Sequence, residues 1–341
     1  MKEIIITPAQ DGQKLITAAA RSLKEAPDGF LYKMLRKKNI TLNGKKATGK
    51  EHLKTGDVIR FWFSDETIAR FTGEEPAGEE CTDQDFVPDF PEWILYEDEN
   101  VLLVNKPAGI LSQKAEVNDV SLNEMVIDYL LRTGQTSMQQ LQLLRPSVCN
   151  RLDRNTSGIV AVGKTHMGLR LLTELFRERD IHKEYLCLVC GRIDREDTLH
   201  AWWEKDSAGN QAHISLSHDG SEGSGKEIIT KITPVRSRTD ENGNTVTLLK
   251  VLLITGRSHQ IRAHLSALGH PVIGDAKYGN RTVNRYYQRT YGVKSQLLHA
   301  FRITFPDQTA PPLDMLAGMT VTAPLPKVFA GCIGEIGEMA L

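Results

Sequence analysis

The chain predicts an α+β protein: a body built on a mixed, largely antiparallel sheet with flanking helices, preceded by a small α/β module. Three observations predict it. Strand-like runs in the body outnumber helical ones and do not alternate with them, which argues against a doubly wound fold. The first sixty residues carry an excess of basic charge that the next segment reverses. An Asn43-Gly44 pair, a strong hairpin signal, sits inside the basic segment.

The module comes first. From Lys14 to Arg60 twelve Lys and Arg stand against four Asp and Glu, a local charge of about +8, although the whole chain has a net charge of −1. "GFLYKMLRKKN" places Phe30, Leu31, Met34 and Leu35 at near-helical spacing with basic residues between them. "ITLNGKK" reads as two short strands around a tight turn, and Lys54-Thr55-Gly56-Asp57 as a second turn before the strand "VIRFWF". A helix-and-hairpin unit over residues 13–63 follows, with Lys33, Arg36, Lys37, Lys38, Lys45 and Lys46 on its outside as candidate nucleic-acid-binding residues. The competing reading is a basic face that is simply solvated. Residues 64–92, with "EEPAGEECTDQDFVPDFPE", are acidic, poor in apolar residues and contain Pro and Gly, and so read as a flexible linker.

The body occupies residues 93–330. "WILYEDENVLLVNKPAGI" contains two short strands split by a polar turn, and "SGIVAVGKT" a buried strand. "HMGLRLLTELFRERD" has helical apolar spacing. "KEYLCLVCG", "TLHAWWEKD", "QAHISLS" and "KEIITKITPV" read as strands, and "ENGN" turns into the long strand "TVTLLKVLLI". "SHQIRAHLSALG" reads as a helix with Ser258 as its N-cap, and "LLHAFRITFP" as a late strand.

Composition narrows the function classes. No apolar run approaches the ~20 residues that span a bilayer. The N-terminus "MKEIIITPAQDGQ" has no apolar core of the kind a signal peptide needs, so a cytoplasmic protein away from membranes is expected. Five scattered cysteines without a secretion signal predict reduced thiols. Cys187 and Cys190 form a C-x-x-C, but residues three apart on a strand point to opposite faces, and no second pair completes a zinc site. His259 and His264 are five apart rather than four, which does not suit a helical metal pair.

Two resemblances add to this reading. "LYKMLRKKNITLNGKKA" and "LKTGDVIRFW" resemble an S4 RNA-binding domain. "NRLDRNTSG", "KEYLCLVCG", "TGRSHQIRAHLSALGHPVIGDAKYG" and "LLHAFRI", in that order over residues of about 93 to 325, resemble the RluA-type pseudouridine synthases. The resemblance implies isomerisation of uridine to pseudouridine in RNA, with no metal and no cofactor. It casts Asp153 as the catalytic aspartate, acting as a nucleophile or stabilising a cation at the sugar. Arg262 is then its partner. Tyr185 is the pocket aromatic whose ring covers the uracil and whose hydroxyl can relay a proton. Leu298 forms the opposite apolar wall, Arg151 fills the gap left by a flipped base, and Arg154 engages RNA. Taken alone, Asp153 would read as a turn or capping residue and Tyr185 as core.

The chain departs from the family at Asn150, where the family has His, so a proton carrier is lost there. "GDAKYG" and "NKPAGILSQ", with Lys106 and Pro107, read as architecture. The expected partner is a large-subunit ribosomal RNA of the 23S type, with transfer RNA second, and the protein is expected to be a monomer. A non-catalytic RNA-binding assembly factor is the competing reading. A glycosidase-like hydrolase would need a second carboxylate that does not lie near Asp153 in sequence.

Overall fold

In the computed structural model, residues 1–72, 89–116, 119–205, 212–216, 225–240 and 242–334 are described. The module starts earlier than the expected 13–63: it folds as β1 (Lys2–Ile5), α1 (Leu15–Ser22), α2 (Asp28–Arg36), β2 (Ile40–Leu42), β3 (Lys45–Lys46) and β4 (Val58–Phe61), with sheet order β1-β4-β2-β3, because β1 pairs with β4. The hairpin forms where expected. Leu42 pairs with Lys45, and Asn43 and Gly44 take φ of 51° and 73°, the left-handed pair that a two-residue turn requires. Leu31, Met34 and Leu35 of α2 are buried against Leu15, Ala18 and Ala19 of α1 and against Ile40, Ile59 and Phe61 of the sheet. Lys33, Arg36, Lys37, Lys38, Lys45 and Lys46 are all exposed, and none forms an ion pair among the described residues.

The stretch expected to be a linker is structured at its start. Residues Asp65–Thr72 form α3, because Phe71 packs on Phe30 with ring centroids 4.6 Å apart. Most of the acidic run, residues 73–88, lies outside the described residues.

The body has β5 (Ile94–Glu97), β6 (Val101–Lys106), α4 (Leu122–Arg132), α5 (Met138–Leu143), β7 (Ser147–Val148), β8 (Ser157–Gly163), α6 (His166–Glu178), β9 (His182–Cys190), β10 (Asp197–Lys205), β11 (Ala212–Ser215), β12 (Lys226–Thr239), β13 (Thr245–Leu253), α7 (Gln260–Ala267), α8 (Arg281–Tyr291), β14 (Leu298–Thr304), β15 (Thr320–Thr322) and α9 (Lys327–Ile333). One sheet runs β11-β10-β12-β13-β9-β14-β8-β6-β5, with β15 added to β14 and β7 to β8. Its ladders are antiparallel except where β14 meets β8. The α+β expectation of a mixed, largely antiparallel sheet with flanking helices holds.

Strand alternation sorts the core onto two faces. Leu102, Val104, Val160, Val162, Tyr185 and Cys187 face α4 and α7, whose Met125, Val126, Ile261 and Leu265 are buried there. The intervening residues point the other way. Val101, Leu103, Ile159 and Ala161 pack with Leu172 of α6, and Leu186 and Leu188 with Val283 and Tyr287 of α8. Cys187 and Cys190 accordingly face opposite sides of β9.

The module rests on the body. Arg21 Nη1 donates to Leu143 O at 2.8 Å and Gln13 Nε2 to the same oxygen at 3.3 Å, so Arg21 of α1 and Gln13 just before it supply two donors to the carbonyl that ends α5. A Cβ built on Gly12 would stand 3.1 Å from Met167 Sδ of α6, which measures how closely the two parts approach. No helix among the described residues is long and apolar enough to cross a membrane.

Candidate active site

Asp153 lies in the turn between β7 and β8, and the neighbouring backbone fixes it. Lys106, at the end of β6, is fully buried, and its Nζ donates to Pro107 O, Ile110 O and Arg154 O at 3.0, 2.8 and 3.2 Å. Gly109 N also donates to Arg154 O, at 2.8 Å. Ser112 Oγ accepts from Leu152 N and donates to Leu152 O, both at 3.0 Å. The turn is therefore held to the "NKPAGILSQ" segment by a buried ammonium and a hydroxyl, and the architectural reading of that segment acquires a mechanism. Burial pushes the Lys106 ammonium down to about 7, with the Asp153 carboxylate pulling in the other direction.

Asn150, the departure from the family pattern, faces β8. Its Nδ2 donates to Ile159 O at 3.1 Å and its Oδ1 accepts from Ala161 N at 2.7 Å. An amide suits that task because it offers a donor and an acceptor at once. Gly158, at the start of β8, has φ +115°, and a Cβ there would stand 2.3 Å from Ala300 O. Only glycine lets β8 approach β14 at the point where the parallel pair forms.

Arg262 reaches this turn from α7. The helix is held to the sheet by Ile261 and Leu265, and the Arg262 side chain is 8% exposed. Its Nη1 donates to Asp153 Oδ2 at 2.7 Å. Its Nε and Nη2 donate to Asp275 Oδ2 and Oδ1 at 2.6 and 2.9 Å, a bidentate fork. Asp275 is fully buried and also accepts from the amides of Lys277 and Tyr278. Burial alone would raise its carboxyl. The Arg262 fork and the two amides outweigh burial and hold the carboxyl below the ordinary carboxylate range. Arg262 is thus oriented by a carboxylate out of water and presents its remaining nitrogen to one that water reaches: the Asp153 side chain is 27% exposed. Asp153 Oδ1 has no hydrogen bond among the described residues, so one oxygen is held and the other is available.

Tyr185 of β9 and Leu298 of β14 are buried on the same face of the sheet, in the cluster that also contains Leu152 and Ile261. Ala300 pairs with Tyr185 and Leu298 with Cys187, so the two side chains are set by adjacent strands. Burial, and then the Asp153 carboxylate, push the Tyr185 phenol up, which keeps it a proton donor at neutral pH. Arg151 is exposed beside Asp153, and Arg154 is exposed with Nη2 3.5 Å from Asp119 Oδ1. The structure therefore gathers Asp153, Arg262, Tyr185 and Leu298 at one place with Arg151 and Arg154 at its rim. The six module residues lie on α2, the two positions after it and β3, and all are exposed.

Sequence reasoning passes over Asp275 and Tyr278, and takes up His259 only to set it aside as a metal ligand. The "GDAKYG" segment reads as mere architecture, yet it supplies the buried acid that orients Arg262. An acid beside a glycine in an otherwise apolar neighbourhood is the available signal. The start of α7 also differs from expectation. The N-cap is His259, in the left-handed region at φ 56°, and not Ser258. Gln260 Oε1 accepts from Arg257 N and Thr255 Oγ1 at 3.0 and 2.9 Å, which bends the approach to the helix and turns His259 toward Tyr278. Among the described residues no group of His, Cys, Asp and Glu has the arrangement of a metal site.

Comparison with known proteins points the same way. The sequence profile of the RNA pseudouridylate synthase family matches residues 100–267. The chain is 30% identical to the ribosomal large subunit pseudouridine synthase C of Vibrio cholerae over 295 residues, 86% of this chain and 85% of that protein. Against its counterpart in Pasteurella multocida the identity is 31%, over 89% of this chain and 86% of the other. Among solved structures it is similar to human RNA pseudouridylate synthase domain containing 1, with TM-score 0.50 and 26% identity over 68% of this chain and 82% of that one. Human RNA pseudouridylate synthase domain containing 4 shares the fold, with TM-score 0.52 and 19% identity over 72% and 92% of the two chains.

Proposed function

The chain belongs to the RNA pseudouridylate synthase family, of the RluA type, and on that premise we propose that it converts uridines of large-subunit ribosomal RNA to pseudouridine with Asp153 as the acting carboxylate. The observation that carries this reading is the asymmetry of Asp153: Oδ2 is held by Arg262, while Oδ1 has no hydrogen bond among the described residues and the side chain is 27% exposed. In the reaction the N1–C1′ bond of uridine breaks, the uracil turns, a C5–C1′ bond forms, the proton at C5 leaves, and N1 takes up a proton. Asp153 supplies negative charge at the sugar or attacks the nucleotide directly. Arg262 fixes the carboxylate's direction. The Tyr185 ring lies against the uracil, and its phenol, kept protonated by burial, is suited to handing on a proton.

A uridine in stacked RNA must leave the stack to reach the Asp153 carboxylate, at a cost of a few kcal/mol. Arg151, exposed at the rim, is suited to occupy the vacated position, and Arg154 to meet the backbone. The exposed basic residues of the module, Lys33, Arg36, Lys37, Lys38, Lys45 and Lys46, supply phosphate contacts in the manner of an S4 domain. Ribosomal RNA is favoured over transfer RNA because the similar bacterial proteins are named for the ribosomal large subunit.

The test is release of tritium from large-subunit ribosomal RNA labelled at uridine C5. The wild-type chain should release it. Asp153→Asn should fold and bind the same RNA with no release. Appreciable turnover by Asp153→Asn would overturn the assignment of Asp153.

A further inference from the structure

Tyr278 takes no part in the chemistry just described, yet it touches three separate parts of the site. Its hydroxyl accepts a hydrogen bond from Ala212 N, the first residue of β11, at 2.8 Å. The same hydroxyl is 3.0 Å from His259 Nδ1. Its ring lies under the Arg262 guanidinium, whose Cζ is 5.2 Å from the centroid. Meanwhile its own backbone N–H donates to Asp275 Oδ1 at 3.0 Å, beside the bond from Arg262 Nη2 to that oxygen.

We infer that Tyr278 is a positioning residue with two separable halves: the ring supports Arg262, and the hydroxyl ties the β10–β11 arm to the turn that opens α7. The inference rests on the proposed role of the Asp153–Arg262 pair.

The argument for two halves is geometric. Arg262 has hydrogen-bond partners along its edges, from Nε and Nη2 to Asp275 and from Nη1 to Asp153. Those bonds fix the guanidinium within its plane. They resist tilting of that plane poorly, and an aromatic face against it supplies the missing restraint. The hydroxyl does something else. The β11 strand is held to β10 by its ladder, and β10 in turn meets the approach to α7 where Trp203 Nε1 donates to Ser258 O at 3.0 Å. The bonds at Ser258, His259 and Tyr278 thus join the arm to three residues that flank Arg262. His259 is held there in a left-handed conformation that a non-glycine residue adopts at a cost. The arm and the ion pair therefore meet at one phenol.

The two halves have different signatures. Tyr278→Phe keeps the ring and removes the hydroxyl. It should raise KM for the labelled ribosomal RNA about fivefold, the order of one hydrogen bond, while kcat falls less than twofold. Tyr278→Leu removes both halves. It should show the same rise in KM and, in addition, a fall in kcat of about thirtyfold, the order of a desolvated cation–π interaction. Ala212→Pro removes the donor without altering Tyr278, at a strand-end position where proline is tolerated. It should reproduce Tyr278→Phe, and the double variant Ala212→Pro, Tyr278→Phe should be no worse than either single one.

A purely structural role would lower thermal stability in all variants without this division between KM and kcat. The inference is overturned if Tyr278→Phe and Tyr278→Leu have the same kcat, or if the Ala212→Pro and Tyr278→Phe effects multiply. Wild-type protein in the same assay separates this failure from failure of the underlying reading. Absence of tritium release by wild type counts against the proposed function, whereas active wild type with indistinguishable Tyr278 variants counts against Tyr278 alone.

Discussion

Removing Arg262 should damage the protein in a way that depends on pH, because the residue serves two carboxylates in different surroundings. Arg262→Met keeps most of the apolar volume of the side chain and deletes the guanidinium. Asp153 is 27% exposed and can be rehydrated, so its loss of a partner contributes little to stability. Asp275 is fully buried and loses two charge-assisted bonds, of 2.6 and 2.9 Å, keeping only the amides of Lys277 and Tyr278. Breaking a buried pair by removing one partner costs about 3–5 kcal/mol, a large share of the ~5–15 kcal/mol that stabilises a typical domain. The sign with pH follows. In wild type the Asp275 carboxyl lies below its ordinary range, so its pairing stabilises the fold above the unfolded carboxyl pKa, and that contribution is lost as pH falls through the folded value. In the variant the unpaired carboxyl is pushed upward, so protonation relieves it. The stability difference between wild type and Arg262→Met should therefore be largest at neutral pH and shrink toward about pH 4. Urea unfolding at several pH values measures it. A second variant, Arg262→Met with Asp275→Leu, should recover about 2 kcal/mol or more by removing the orphaned charge, yet release no tritium. An Arg262→Met protein as stable as wild type at neutral pH, or a double variant no more stable than the single one, would refute the account of Asp275 as a buried anchor.

Three further outcomes are expected. Tyr185→Phe should bind RNA nearly as well as wild type and form product on the order of a hundredfold more slowly if the phenol carries a proton, whereas Tyr185→Ala should also bind more weakly. Equal behaviour of the two in an RNA-binding assay would remove the stacking role. Lys106 is held near 7 in the fold against about 10.4 in an unfolded chain, so the unfolded state binds the extra proton between those values, and stability should rise with pH by about 1.4 kcal/mol per unit across that window. Lys106→Met should lack the rise, and parallel urea midpoints for the two proteins across roughly pH 7.5 to 9.5 would contradict it. Replacing Lys33, Arg36, Lys37, Lys38, Lys45 and Lys46 together by Gln should flatten the dependence of log affinity on log salt by roughly 0.7–0.9 for each phosphate no longer neutralised, and an unchanged slope would place RNA affinity in the body.

Much of the architecture is legible in the chain because it rests on short-range rules. The Asn43-Gly44 turn declares itself through backbone conformation, and the strands of the body through alternation and turn residues. Helices α4 and α8 do not. In α8 the buried positions are Val283 and Tyr287 amid arginines and polar residues, too sparse an apolar face to stand out from its surroundings. The site is legible where long strings carry it, at Asp153, Tyr185, Arg262 and Leu298. Asp275 and Tyr278 are not, because their importance lies in their approach to Arg262 from farther along the chain, and nothing in residue type distinguishes a buried anchor from a loop acid. Asn150 shows the converse. Its identity raises a question about proton transfer, and its hydrogen bonds to Ile159 and Ala161 answer that the side chain belongs to the sheet.

The bonds from Arg21 and Gln13 to Leu143 O make the molecule a ruler. On the proposed function, in which the module grips RNA and Asp153 acts on it, the seating of the module on α5 sets the separation between the two, and the gripped RNA offers Asp153 only those nucleotides that lie at the matching distance along its folded surface. Selection of one uridine among many then needs little reading of bases. It needs an RNA whose own shape brings a single uridine to the mark, and an RNA of the same sequence without that shape would present none.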